Sequence, residues 1–150
     1  MPRPATQAMP SAVLFACLRN SVRSPMAAAL MRHYFGQSVY VASAGLTHGE
    51  PDPFVVEVMD EKGIEMGAHR PHTFAELGDD SFDLIVALSE EARHHAAGLA
   101  RTQALEIEYW PSFDPTQVEG TREQRLSAYR ALRDALDDRI RARFGVSQPA

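Results

Sequence analysis

The residues with the most chemical potential in this sequence are Cys17 and Arg23, a thiol and a guanidinium six positions apart in Cys17-Leu18-Arg19-Asn20-Ser21-Val22-Arg23-Ser24-Pro25. A thiolate is a good nucleophile, and beside cations and helix N-termini the cysteine pKa falls to roughly 3.5–7.5. Arg23 supplies the cation. Its planar fork can also grip two oxygens of a tetrahedral oxyanion, holding phosphate against Cys17 and favouring charge in the transition state. Ser24 is placed to donate a hydroxyl hydrogen to the thiolate. Expulsion of an alkoxide or phenoxide needs a proton donor as well, worth about 10²- to 10⁴-fold in rate. Asp114, followed by Pro115, is the candidate. Each residue has a plainer reading when taken alone: a lone cysteine is most often a small buried hydrophobe, and Asp before Pro often caps a turn. The spacing is what turns them into a site.

A site of this kind needs a frame. Ala12 to Ala16 is a short apolar run typical of a buried strand, and Ser24-Pro25 is expected to cap a helix running to about Tyr34 and ending at Gly36. The loop Cys17 to Arg23 then leads into a helix N-terminus, whose unpaired N–H groups and partial positive charge favour anions and should lower the Cys17 pKa. Ser38 to Ala42 alternates like a second strand, with a loop from Ser43 to Asp52. Asp52-Pro53 is a helix start, with Phe54, Val55, Val58 and Met59 facing inward and Gly63 as the stop. A short helical turn is expected at Thr73 to Leu77, a central strand at Phe82 to Leu88, and a helix from Ser89 to about Ala100. Ala104 to Tyr109 alternates as a fourth strand, and Trp110 to Gly120 is a loop. Thr121 with Gln124 then reads as a capping box opening a helix with the stripe Leu126, Tyr129, Leu132, Leu136, Ile140 and Phe144. Strands alternating with helices imply an α/β three-layer sandwich: a four-stranded parallel sheet, helices on both faces, and a phosphate-binding loop after strand 1. Ligands of such sheets bind beyond the carboxyl ends of the strands.

Composition sets the wider limits. The chain has 150 residues, 45% hydrophobic and 23% charged, which suits one domain over residues 11–150. Residues 1–10 hold three prolines and little to bury, and read as a flexible N-terminal extension. A formal charge of -5 argues against nucleic acid or an anionic membrane as partner, so any anion site must be local. One cysteine cannot form an intramolecular disulfide, and no apolar run approaches the ~20 residues of a membrane span; a cytoplasmic location is the default expectation. His94 and His95 are adjacent and would point apart on a helix, and His48, His69 and His72 lack metal-ligand spacing. Neither a metal nor a cofactor is expected, and oligomeric state is not legible.

The stretch Val13-Leu14-Phe15-Ala16-Cys17-Leu18-Arg19-Asn20-Ser21-Val22-Arg23-Ser24-Pro25-Met26-Ala27 resembles the signature of the low-molecular-weight protein tyrosine phosphatases and of the arsenate reductases that share their fold. Ser43-Ala44-Gly45, Gly49-Glu50-Pro51-Asp52-Pro53, His69-Arg70, Phe82 to Leu88 and Asp114-Pro115 are similar to further family segments in the same order. The resemblance implies a phosphomonoester hydrolase with Cys17 as nucleophile, Arg23 as phosphate clamp, Ser24 as thiolate partner and Asp114 as general acid and base. Leu18, Arg19, Asn20, Ser21, Val22 and Arg23 would wrap the phosphate, with Asn20, Ser43 and His69 bracing the loop. The implied ligands are a phosphorylated protein or small phosphate ester, and inorganic phosphate or related oxyanions.

Departures from the pattern bear on the substrate. Arg19 stands where the family usually has glycine, and Val22 where many members have a second cysteine. Thr116 and Gln117 replace the tyrosines that usually follow Asp-Pro, and His48 stands where an aromatic residue is expected. Two other functions compete with hydrolysis. Arsenate reduction would require an external low-molecular-weight thiol, because no second cysteine is present. A non-catalytic member would hold phosphate or a phosphoprotein in a loop distorted by Arg19.

Overall fold

The alternation of one strand organises the molecule. In the computed structural model, which describes residues 9–78 and 81–145, β1 (Ala12–Cys17) is buried along its whole length. Val13, Phe15 and Cys17 join one core, and Leu14 and Ala16 join another on the opposite face. Then follow α1 (Arg23–Phe35), β2 (Tyr40–Gly45), α2 (Pro53–Asp60), the short α3 (Phe74–Leu77), β3 (Leu84–Ala87), α4 (Glu90–Leu99), β4 (Glu106–Tyr109) and α5 (Arg122–Phe144). The strands form a single parallel sheet in the order β2-β1-β3-β4. α1, α2 and α5 cover the face of Val13 and Phe15, while α3 and α4 cover that of Leu14. This is the three-layer α/β sandwich with the Cys17 loop at the carboxyl edge of β1, where the strand order switches direction. All but two residues of the expected extension, Met9 and Pro10, lie outside the described residues.

The long helix follows its stripe. Leu126, Tyr129, Leu132, Leu136, Ile140 and Phe144 are all buried, and the capping box at Thr121 and Gln124 is formed. Trp110 packs edge-on against Phe15, with ring centroids 5.9 Å apart, joining the sheet to that core. Asp52 caps α2 by accepting from Phe54 N, as the Asp-Pro start predicts.

β3 and β4 are shorter than the sequence reading, at Leu84–Ala87 and Glu106–Tyr109, α2 ends at Asp60 before Gly63, and two further differences bear on the site. β2 runs over Tyr40–Gly45 rather than Ser38 to Ala42, because it pairs with β1 residue by residue from Ala12–Tyr40 to Cys17–Gly45. Ser43 therefore lies in the strand, not in a loop. α1 begins at Arg23 with Val22 at the N-cap, and Ser24 does not cap it. The Ser24 hydroxyl is inside the first turn and bonds to other side chains.

The Cys17 loop is held open from behind. Leu18 O accepts from Leu46 N and Thr47 N, Arg19 O from Gly49 N, and Asn20 O from His69 Nε2 at 2.9 Å. With those carbonyls turned outward, the amides of Leu18 through Val22 donate to no protein acceptor among the described residues. Asn20 sits in the left-handed region at φ 59°, which its short polar side chain makes tolerable. Its Nδ2 donates to Ser24 Oγ and Ser43 Oγ, each at 2.9 Å, and its Oδ1 accepts from His72 N at 3.1 Å. Gly45 allows the close approach: a Cβ there would sit 2.7 Å from Arg19 C and 2.8 Å from Asn20 N.

Two outcomes follow from this bracing. Gly45→Ala should cost about 1–3 kcal/mol in urea unfolding and weaken phosphate binding several-fold by calorimetry, because loop backbone must move. Burial, ahead of the nearby charges of His72, Arg32 and Arg70, holds the His69 imidazole below its ordinary pKa, against the opposing bond to Asn20. The folded chain thus prefers the neutral ring. That stability is present above the ordinary imidazole pKa of about 6.5 and is lost as pH falls through the lower folded value. His69→Gln keeps an N–H for Asn20 O and cannot titrate, so it should flatten the fall in melting temperature between about pH 7 and about pH 5; an unchanged slope would exclude His69 as its source.

Candidate active site

Cys17 is the last residue of β1 and only 2% exposed. Its Sγ lies 2.9 Å from Ser24 Oγ. The direction of that bond follows from the neighbouring one: Asn20 Nδ2 donates into Ser24 Oγ, so the single hydroxyl hydrogen of Ser24 is free to point at the sulfur. Arg23, the first residue of α1, donates from Nη1 to Ser112 O at 3.2 Å, which draws its guanidinium across the loop mouth toward the segment after β4.

Asp114 comes from that same segment. It is half-buried and caps a short 3₁₀ turn over Pro115–Gln117. Its Oδ1 accepts from Thr116 N at 3.0 Å and from Thr116 Oγ1 at 2.7 Å, so the carboxylate is held in one orientation with Oδ2 outside both bonds. Cys17, Arg23 and Asp114 line a single cleft of about 500 Å³. Leu18, Arg19, Ser21 and Val22 line its floor, while Asn20 and Ser43 lie beneath it, buried in the bracing network. His69 reaches the loop from behind and is not part of the cleft lining.

The walls hold residues that the sequence reading left in the core or passed over. Tyr129, a member of the α5 stripe, turns its hydroxyl into the cleft and donates to Asp52 Oδ2 at 2.7 Å. Burial first, then the bond to Asp52 and the nearby charge of Asp114, push the Tyr129 phenol up. Phe54 packs edge-on against Tyr129, with centroids 5.3 Å apart, and Arg125 lies over the other side of the wall with Cζ 4.8 Å from the Phe54 centroid. The spacing of Arg125 and Tyr129, one turn apart on one helix face, is the signal that places both at the cleft. His72 also supports the loop: its ring nitrogens face Arg70 O at 3.0 Å and Ser43 O at 2.6 Å. His94 and His95 are exposed on α4, and no cluster of potential metal ligands occurs among the described residues. No helix among them is long and apolar enough to cross a membrane.

A buried thiol beside a hydroxyl, loop amides that donate to no protein acceptor among the described residues, a guanidinium and an oriented carboxylate thus meet at one cleft. The comparison with known proteins agrees with this geometry. The profile of the family described as low molecular weight phosphotyrosine protein phosphatase matches residues 12–143. The chain is 32% identical over 131 residues to an arsenate reductase of Halalkalibacterium halodurans, covering 86% of this chain and 91% of that protein. It is 34% identical over 139 residues to the probable low molecular weight protein-tyrosine-phosphatase EpsP of Ralstonia nicotianae, covering 87% and 96%. The crystal structure of the YwlE arginine phosphatase from Geobacillus stearothermophilus superposes with a TM-score of 0.72 at 27% identity, covering 87% of this chain and 88% of that one. Relatives so similar over nearly their whole length carry different named activities, and by the profile match over residues 12–143 this chain belongs to the low molecular weight phosphotyrosine protein phosphatase family.

Proposed function

We propose that the protein is a phosphomonoester hydrolase working through a phosphocysteine on Cys17. The observation that carries the reading is the meeting of Cys17, Arg23 and Asp114 in one cleft. The Cys17 thiolate attacks phosphorus while Arg23 and the loop amides hold the non-bridging oxygens. As the phosphorus–oxygen bond to the leaving group breaks, Asp114 passes its proton to the departing oxygen. Water then attacks the phosphocysteine, giving its proton to the Asp114 carboxylate, and the sulfur–phosphorus bond breaks to release inorganic phosphate. The thiolate leaves into the hydrogen bond from Ser24. Thr116 keeps the acid aimed, through its two bonds to Oδ1.

Arsenate reduction is the second reading, favoured by the relatives that bear that name. It has less support from this chain, whose single cysteine leaves Cys17 no internal thiol to complete a disulfide relay. An external thiol would have to take that part. The ester itself is open between a phosphorylated protein and a small molecule.

Hydrolysis of p-nitrophenyl phosphate between about pH 4 and about pH 8 tests the assignment. Cys17→Ser should lower turnover by about 10⁴-fold or more while phosphate still binds. Arg23→Lys should weaken both, since the bidentate fork is lost. Phosphate bound without turnover in the wild type would favour the non-catalytic reading, and arsenate-dependent oxidation of an added thiol would favour the reductase.

Asp114→Asn should slow alkyl phosphates by about 10²- to 10⁴-fold and p-nitrophenyl phosphate far less, because a good leaving group needs little protonation. Thr116→Val should show the same leaving-group pattern at smaller size, with Thr116→Ser restoring it. Equal slowing for every leaving group would overturn Asp114 as the acid.

A further inference from the structure

α5 carries seven arginines, and five of their guanidinium groups are paired with carboxylates. Arg122 pairs with Glu57, Arg130 with Glu61 and Glu123, Arg133 with Glu61 and Asp134, Arg141 with Asp137 and Asp138, and Arg143 with Glu108. Arg139, which is not part of the cleft wall, lies over Trp110. Arg125 is in the wall and has no carboxylate partner among the described residues. It rests instead on the Phe54 ring, and that ring is fixed in turn by its edge-on contact with Tyr129 at 5.3 Å. A cation stacked on an aromatic face keeps its in-plane N–H groups available to a ligand.

The acidic groups around it are largely engaged. Asp52 spends Oδ1 on Phe54 N and Oδ2 on the Tyr129 hydroxyl, and Asp114 spends Oδ1 on Thr116. Glu50 is the acidic lining residue without a partner among the described residues, against Arg19 and Arg125 as cations without one. Arg23 is committed to the phosphoryl group. The cleft that the leaving group of an ester seated in the loop would enter is lined by Phe54 and Arg125 as well as by Asp114 and Thr116.

We infer that Arg125, laid on Phe54, is a subsite for a second negative charge, and that the cleft selects small phosphomonoesters whose leaving group carries a carboxylate or a further phosphate. The inference rests on the hydrolase reading and deepens it. Thr116 and Gln117, in place of tyrosines beside Asp114, fit it: selection passes from ring stacking to charge recognition at Arg125.

The test compares two esters of equal size and similar leaving group, 4-(carboxymethyl)phenyl phosphate and its neutral carbamoylmethyl analogue. Wild-type kcat/KM should favour the carboxylate roughly tenfold, the preference shrinking with added salt. Arg125→Gln should bring the ratio to about one, and Arg125→Lys should retain part of it. A wild-type ratio near one, or a ratio that survives Arg125→Gln, overturns the subsite. If the wild type hydrolyses neither ester, the hydrolase reading has failed, and the corresponding pair of benzylphosphonates in calorimetry then decides the subsite by the same ratio of affinities. A variant that fails to fold is separated by its melting curve, and Phe54→Leu then serves in its place: it removes the plate under Arg125 and should lower the ratio.

Discussion

The structure depends on how Asn20 is satisfied. Its backbone stands in a left-handed conformation that costs a non-glycine residue of order 1 kcal/mol, and it is fully buried. Four hydrogen bonds hold it there: two from its amide to Ser24 and Ser43, one to its side-chain oxygen from His72 N, and one to its carbonyl from His69. Those partners come from α1, from β2 and from the segment leading to α3, so a single side chain joins three separate parts of the fold. The bond to Ser24 also carries direction. By donating to that hydroxyl, Asn20 leaves its hydrogen free to face Cys17.

The cleft wall has a comparable anchor. α2 is tied to α5 at its start by Asp52 and Tyr129, and at its end by Glu61, which bonds Arg130 and the buried Arg133. The bonds from Arg130 and then Arg133 hold the Glu61 carboxyl down at about 2. Arg133 also donates to Val58 O, filling a carbonyl near the end of the helix. Phe54 and Arg125 therefore sit on a helix pair clamped at both ends, and a ligand meets a wall of settled shape.

Much of this was legible in the sequence, for reasons that differ by element. Cys17, Arg23 and the start of α2 are visible because their residue types are rare in such spacing and their local geometry is self-contained. The α5 stripe is visible because six apolar positions repeat at helical period. β2 starts two residues and ends three residues later than the sequence suggests, because Ser38 to Ala42 has the better strand composition. The strand that forms ends in Ala42-Ser43-Ala44-Gly45, whose small side chains suit close approach to the loop rather than intrinsic propensity. Ser24 looked like a helix cap because serine before proline usually is one; two buried neighbours claimed its hydroxyl first. Arg125 could be read only from its spacing one turn before Tyr129, and Thr116 and His72 gave no local signal of their roles, since each acts through a partner distant in sequence or through a turn too short to leave a periodic trace.

The outward turn of the Leu18, Arg19 and Asn20 carbonyls has a consequence for any anion the loop takes up. Ordering a flexible loop around an anion would draw on the free energy of binding; here that entropy is lost once, when the chain folds, and the donors stand waiting. On the phosphatase reading proposed above, a cradle preformed for the phosphoryl head is equally preformed for inorganic phosphate, and how quickly it empties becomes as much a property of the fold as how quickly the bond to phosphorus breaks.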